Sequence, residues 1–323
     1  MSKPEIVAIA PLPAFFAKPL HENFTVHDLH GAADAEARRA LIAKIAPTTR
    51  GMVAFGGSQL APDQLAKFPH LEIISVFGVG YDGMPLAACA EAKVKVTNTP
   101  DVLNDEVADT AVALTLMTCR QFVGAHKFVE AGDWLKGQYP LTHSLWGKTV
   151  GIIGLGRIGK GIAERLAAHK MSVAYFGRNK QDVPYTYYGN LVEMAGDVDV
   201  LIAITPGGAA TKHLVNAAVL EALGPTGFFI NVARGSVVDQ DALVKAIEAG
   251  TIAGAGLDVF EAEPKVPEAL FNRRNVVLLP HVASATHETR QAMADLAVEN
   301  LALHFAGKPV KTLVPELAGK VNP

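Results

Sequence analysis

Three glycines carry the clearest chemical signal in the chain. In Val150-Gly151-Ile152-Ile153-Gly154-Leu155-Gly156-Arg157-Ile158-Gly159, Gly154, Gly156 and Gly159 make a G-x-G-x-x-G pattern. It follows an apolar run that reads as a strand and opens a stretch that reads as a helix, the context a dinucleotide site requires. Gly154 permits the tight turn, Gly156 lets backbone N–H groups reach a pyrophosphate, and Gly159 lets helix pack on strand. The helix N-terminus adds partial positive charge for the phosphates. A bare G-x-G-x-x-G is common in glycine turns; the flanking strand and helix are what give this one meaning.

The next strand decides which dinucleotide. It reads Met171-Ser172-Val173-Ala174-Tyr175-Phe176 and runs into Gly177-Arg178-Asn179-Lys180. An enzyme for NAD usually carries Asp or Glu about 20 residues past the glycines, where it accepts from the ribose 2′-OH. Gly177 stands here instead. The missing carboxylate removes a repulsion, and the Arg178 fork suits a 2′-phosphate. The expected cofactor is therefore NADP, with Gly177, Arg178 and Asn179 at the phosphate. The alternative is that Arg178 and Lys180 are solvated turn residues.

Positioning such a site takes alternating strands and helices, and the chain supplies them. Short β-branched runs fall at 5–10, 51–55, 72–77, 94–97, 149–153, 172–176, 199–204, 227–232, 253–258 and 275–279, and helical stretches at 34–45, 59–67, 84–92, 157–169, 216–223 and 239–249. This alternation predicts an α/β fold with doubly wound parallel sheets. The spacing predicts one long helix over 101–124, with Asp101, Asn104, Asp105 and Glu106 crowding its start, and a last helix over about 286–306. At 323 residues two domains are expected. A return of the last helix to the first sheet makes them 1–100 plus 286–323, for substrate, and 101–285, for NADP, with a cleft and two crossovers between them.

Composition excludes other classes. A formal charge of −3 gives no basic field for nucleic acid or anionic membrane. The two cysteines, Cys89 and Cys119, cannot build a disulfide framework, and no Cys/His cluster suggests a metal. The run Ile6–Ala10 reads as a strand rather than a signal peptide, and no apolar stretch reaches the ~20 residues that span a bilayer. A cytoplasmic location is the expectation.

Beyond the fingerprint, the chain resembles the D-isomer-specific 2-hydroxyacid dehydrogenases, most closely the glyoxylate/hydroxypyruvate and hydroxyphenylpyruvate reductases. The resemblance rests on VFGVGYD at 76–82, NTPDVLNDEVADTAVAL at 98–114, VGIIGLGRIGKGIA at 150–163, NVARGSVVD at 231–239, GLDVFEAEP at 256–264 and LPHVASAT at 279–286. It implies two α/β domains, a Rossmann cofactor domain inserted in a flavodoxin-like substrate domain. It implies catalysis by Arg234, Glu263 and His281: Arg234 binding the substrate carboxylate and polarising its carbonyl, His281 giving the proton, and Glu263 orienting and charging the imidazole.

The resemblance also implies a carboxylate nest at Gly78-Val79-Gly80, although many relatives have Ser where Gly78 stands. It implies cofactor contacts from Arg157, Ile158, Pro206, Val232, Arg234, Asp258 and Ser284. Ala283 stands where many relatives have Gly. Trp134 either reaches a neighbouring subunit's cleft or packs an interface.

Plainer readings compete at each position. Arg234 could form a structural ion pair, and Glu261 competes with Glu263, which is favoured because it precedes Pro264. Among eleven histidines one proves little, but Pro280 and a short apolar run place His281 at a strand's C-terminal end, where ligand sites of such sheets collect. His126, His143 and His287 read as surface or interface residues.

The expected reaction is NADPH-dependent reduction of a small 2-oxo acid, glyoxylate or hydroxypyruvate, to the D-2-hydroxy acid, the stereochemistry coming from the resemblance alone. Larger phenylpyruvate-like acids, or a dinucleotide-sensing protein with vestigial catalysis, are the alternatives. Formate oxidation normally has Gln in place of the Glu partner, and phosphoglycerate oxidation an acid in place of Gly177. Val112, Ala113, Leu114, Leu116 and Met117 exceed the need of one buried helix face, and a homodimer through the cofactor domain is expected.

Overall fold

The computed structural model describes residues 3–321. The chain divides into two compact units, Met1–Leu103 with Thr286–Pro323, and Asn104–Ala285. Both are open, wholly parallel sheets among the described residues, so the fold class is the two-sheet α/β architecture. No helix among those residues is long and apolar enough to cross a membrane.

In the first unit the strands are β1 (Glu5–Ala8), β2 (Thr25–Asp28), β3 (Thr49–Phe55), β4 (Ile73–Phe77) and β5 (Lys95–Thr97), in the order β2-β1-β3-β4-β5. β4 is buried along its whole length, as a central parallel strand covered on both faces must be. The last helix, His287–Phe305, lies on β4, where the Ser75 hydroxyl donates to the Ala297 carbonyl at 3.0 Å. The Thr286 side chain caps that helix by accepting from the Thr289 N–H.

The second unit holds β6 (Thr149–Ile153), β7 (Ser172–Phe176), β8 (Thr186–Tyr188), β9 (Val200–Ala203), β10 (Phe228–Asn231), β11 (Gly254–Leu257) and β12 (Val276–Leu278). Their order is β12-β11-β10-β9-β6-β7-β8. The winding reverses between β9 and β6, and in open sheets of this kind ligands bind beyond the carboxyl ends of the strands at that crevice. Val150, Ile152, Leu201, Ile202, Phe229 and Ile230 are wholly buried and set the sheet rigidly beneath it.

The single helix expected over 101–124 is two helices, Asn104–Cys119 and Phe122–Glu130. Gln121 between them is left-handed at φ 48°. The Cys119 carbonyl accepts from the His143 N–H at 3.1 Å instead of from the helix's next turn, so a distant loop ends the helix. Val112 and Leu114 are buried within the unit, and Leu116 and Met117 are partly so. Ala113 is exposed, so the apolar surplus of this helix is used internally only in part. Exposed apolar side chains collect later in the chain instead, at Phe122, Val129, Trp134, Leu135, Leu141 and Trp146.

Candidate active site

The site is built at the carboxyl ends of β6, β7, β9, β10, β11 and β12. After β6, Gly154 turns with φ 99°, and a Cβ there would lie 3.0 Å from the Ile204 carbonyl oxygen at the switch point. A Cβ on Gly159 would lie 2.2 Å from the Gly154 oxygen, so the helix Arg157–Ala168 sits closer to the strand than any side chain allows. Gly156, the residue capping that helix, has nothing within 4 Å of the equivalent point. Two glycines are therefore closed by protein and the middle one is open, leaving a bare backbone and a helix N-terminus for an anion. This cradle fits a dinucleotide. After β7, Gly177 is likewise open, and Arg178, Asn179 and Lys180 are exposed. No carboxylate occupies the 177–180 stretch.

Past β10, the buried Asn231 side chain shapes the turn that presents Arg234. Its Oδ1 accepts from the Ala233 N–H at 3.0 Å and its Nδ2 donates to the Arg234 carbonyl at 3.1 Å. The Arg234 Nη1 donates to the Ala233 carbonyl at 2.8 Å. Val232 is buried at the strand's end. Pro206, in the loop after β9, accepts from the Thr211 hydroxyl at 2.7 Å. Asn231 and Gln240, whose Oε1 accepts from the Glu261 N–H, are residues that sequence reasoning missed. The polar Asn231 closing an apolar strand was the available signal; Gln240, the first residue of the helix Gln240–Ala249, offered none.

The two competing glutamates have different partners. The Glu263 Oε2 lies 2.8 Å from the His281 Nδ1, whereas the Glu261 Oε1 lies 3.0 Å from the His213 Nε2. Burial opposes ionisation of Glu263, but hydrogen bonds from His281 and the Phe260 N–H, with the charges of His281 and Arg234, outweigh it and hold the carboxyl below its ordinary range. It is therefore a carboxylate at neutral pH. His281 has an exposed side chain in the left-handed region at φ 55°, a conformation uncommon outside glycine, though His, with Asn and Asp, adopts it more often than other residues. Asp258 enforces it. Its carbonyl accepts from the His281 N–H at 2.8 Å, and its carboxylate oxygens accept from Val282 N–H at 2.8 Å and Ala283 N–H at 3.0 Å. Burial pushes the Asp258 carboxyl up, against those hydrogen bonds and the His281 charge. Ser284 follows, partly buried.

The Gly78-Val79-Gly80 turn lies at the end of β4 in the first unit. The Gly78 N–H donates to the Thr99 hydroxyl at 3.1 Å, and the Val79 carbonyl accepts from Asn98. The Gly78 N–H is thus engaged within its own unit; its lack of a side chain is explained by Gly56, 3.1 Å from a Cβ there. Trp134 sits in a single 3-10 turn, Asp133–Leu135, and is 63% exposed.

A doubly wound sheet with an open glycine turn and an assembled carboxylate–imidazole pair defines a dinucleotide-dependent oxidoreductase. Residues 112–283 match the family model described as D-isomer specific 2-hydroxyacid dehydrogenase, NAD binding domain. The chain belongs to that family and is an enzyme of it. It is 44% identical over 310 residues to a hydroxyphenylpyruvate reductase of Plectranthus scutellarioides, covering 96% of this chain and 98% of that one. It is 40% identical to a 2-ketogluconate reductase of Gluconobacter oxydans, over 97% of this chain and 99% of the other. Among solved structures, an NADPH-dependent glyoxylate/hydroxypyruvate reductase of Sinorhizobium meliloti, in complex with NADP and malonate, is 46% identical with a TM-score of 0.90. That match covers 98% of each chain.

Proposed function

We propose that this protein reduces small 2-oxo acids, glyoxylate or hydroxypyruvate, to D-2-hydroxy acids with NADPH. The observation that carries the reading is the Glu263–His281 contact of 2.8 Å, at the same sheet edge as the open Gly156 turn. Bound at that turn, the reduced cofactor supplies the hydride that the keto carbon accepts. Arg234 holds the substrate carboxylate and polarises the carbonyl, so charge developing on its oxygen meets a fixed cation. His281 gives that oxygen its proton from Nε2 while Glu263 holds Nδ1. The Val79 and Gly80 N–H groups are assigned to the substrate carboxylate. Arg157, Ile158, Pro206, Val232, Asp258 and Ser284 are assigned to the cofactor, and Gly177, Arg178 and Asn179 to its 2′-phosphate.

Support for NADP comes from the absent carboxylate after β7, the exposed Arg178 and the Sinorhizobium relative named NADPH-dependent. The hydroxyphenylpyruvate reductase relative favours a second reading, in which the pocket takes a larger aromatic 2-oxo acid. An assembled Glu263–His281 pair argues against a vestigial, sensing role. We further assign a homodimer formed through the exposed apolar 122–146 segment, with Trp134 in the interface, and a cytoplasmic location.

The test is oxidation of NADPH and of NADH by the purified protein with glyoxylate, hydroxypyruvate and phenylpyruvate in parallel. The expected result is faster turnover with NADPH and a preference for the two small acids. Preference for phenylpyruvate selects the second reading, turnover with NADH alone removes the 2′-phosphate assignment, and no turnover with either cofactor removes the reductase.

A further inference from the structure

The loop after β7 is held at both ends by residues that no cofactor contact explains. Tyr175, wholly buried in β7, accepts the Gln181 N–H on its hydroxyl at 2.6 Å. The Gln181 side chain then crosses to the glycine turn, where its Nε2 donates to the Leu155 carbonyl at 2.9 Å. At the other end, Tyr187 in the edge strand β8 donates from its hydroxyl to the Gly177 carbonyl at 3.3 Å. Tyr187 and Tyr175 are cross-strand partners with ring centroids 5.3 Å apart.

Arg178, Asn179 and Lys180 are therefore the exposed tip of a short bridge with fixed ends. Gln181 also ties that bridge to Leu155, which lies between Gly154 and Gly156 in the turn that faces the pyrophosphate. The two anionic groups of the adenosine half of NADP, its 2′-phosphate and its diphosphate, would thus face points linked by one side chain. A forked guanidinium–phosphate contact depends on the position of the fork, and holding a loop in its bound conformation beforehand removes ordering cost from binding.

We propose that Gln181 and Tyr187 are positioning residues for 2′-phosphate selectivity, holding the Arg178–Lys180 tip at a set distance from the glycine turn. The proposal rests on the NADP reading, and the experiment separates the two. Binding of 2′,5′-ADP and of 5′-AMP, which lacks the 2′-phosphate, is measured by calorimetry on the full-length protein and on Arg178→Ala, Gln181→Ala and Tyr187→Phe. Tyr187→Phe removes one hydroxyl and keeps the ring, so it guards against a Gln181 variant that fails to fold.

The expected outcome is that the protein binds 2′,5′-ADP more tightly than 5′-AMP and that Arg178→Ala erases most of the difference. Gln181→Ala and Tyr187→Phe should each shrink it by roughly 3- to 10-fold, the worth of one neutral hydrogen bond, with 5′-AMP affinity moving by less than about 2-fold. The NADPH-to-NADH ratio of KM values should rise in step, with kcat little changed. If Arg178→Ala erases the difference while Gln181→Ala and Tyr187→Phe keep it, the positioning role is overturned and the NADP reading stands. Equal losses for both nucleotides overturn it too, since they make Gln181 a brace for the glycine turn alone. If the unsubstituted protein does not distinguish the nucleotides, both the reading and the inference fall.

Discussion

The Glu263 carboxylate is shared between the His281 Nδ1, 2.8 Å from Oε2, and the Phe260 N–H, 3.0 Å from Oε1. Both oxygens are engaged, so the side chain cannot rotate away without stranding a donor, and the imidazole is aimed by a fixed partner. Removal of His281 should therefore cost the proton transfer itself. His281→Ala is expected to lower kcat for 2-oxo acid reduction by roughly 10²–10⁴-fold, with dinucleotide affinity kept. Stopped-flow single turnovers with NADPH check this; a fall of less than tenfold would place the acid elsewhere.

Asp258 holds the segment that carries His281, with both carboxylate oxygens on the Val282 and Ala283 N–H groups. Asp258→Asn turns an NH2 toward one of those donors and leaves it unsatisfied in a buried place. The expected cost is about 1–3 kcal/mol of stability, together with a loss of kcat because His281 leaves its left-handed conformation. Denaturant melts beside steady-state kinetics test it. Full activity in a destabilised protein would limit Asp258 to a structural part.

In the first unit, burial holds His304 below its ordinary range, with the Lys95 and Arg50 charges acting the same way against the Glu72 contact. Its Nε2 lies 2.8 Å from Glu72 Oε2 and its Nδ1 3.3 Å from Lys95 Nζ. A histidine kept neutral in the fold takes up a proton on unfolding. Its contribution is present above the unfolded value of ~6.5 and is lost as pH falls through that value. Thermal melts from pH 8 to pH 5 should show Tm falling below about 6.5, and His304→Gln should flatten that slope. An unchanged slope would assign the acid sensitivity to other groups.

The exposed Trp134, Leu135, Leu141 and Trp146 are an apolar surface of the kind that marks interfaces. Light scattering at micromolar concentration is expected to give the dimer mass, and Leu135→Asp to shift it toward monomer. A monodisperse monomer without the substitution would reject the assembly.

What could be read beforehand depended on where the physics lay. The β6 turn was legible because it needs missing side chains at fixed spacing, and ten strands were legible as apolar runs. The edge strands β2 and β8 were not. Thr25–Asp28 and Thr186–Tyr188 are short, polar and largely uncovered, so they lack the signal of a buried strand. The helix Ala14–Asn23 was hidden by its internal Pro19. The break at Gln121 has no Gly or Pro to announce it, because His143 causes it from more than 20 residues away. In the site, the Glu263 pairing was suggested by the residues around it, whereas Asn231, Gln240 and Gln181 act through contacts that only the fold brings about.

Gly235, next to Arg234, carries a last consequence. A Cβ on it would fall 1.9 Å from the Phe260 carbonyl carbon and 2.3 Å from the Glu261 nitrogen, so the segments bearing Arg234 and Glu263 meet backbone to backbone. Surveys that look for function in reactive side chains pass over this position, since it has none to offer. A randomised library screened for turnover should nonetheless return glycine there almost as strictly as arginine beside it. The meeting of those two segments thus depends on a side chain that is not there, its place taken by the Phe260–Glu261 backbone.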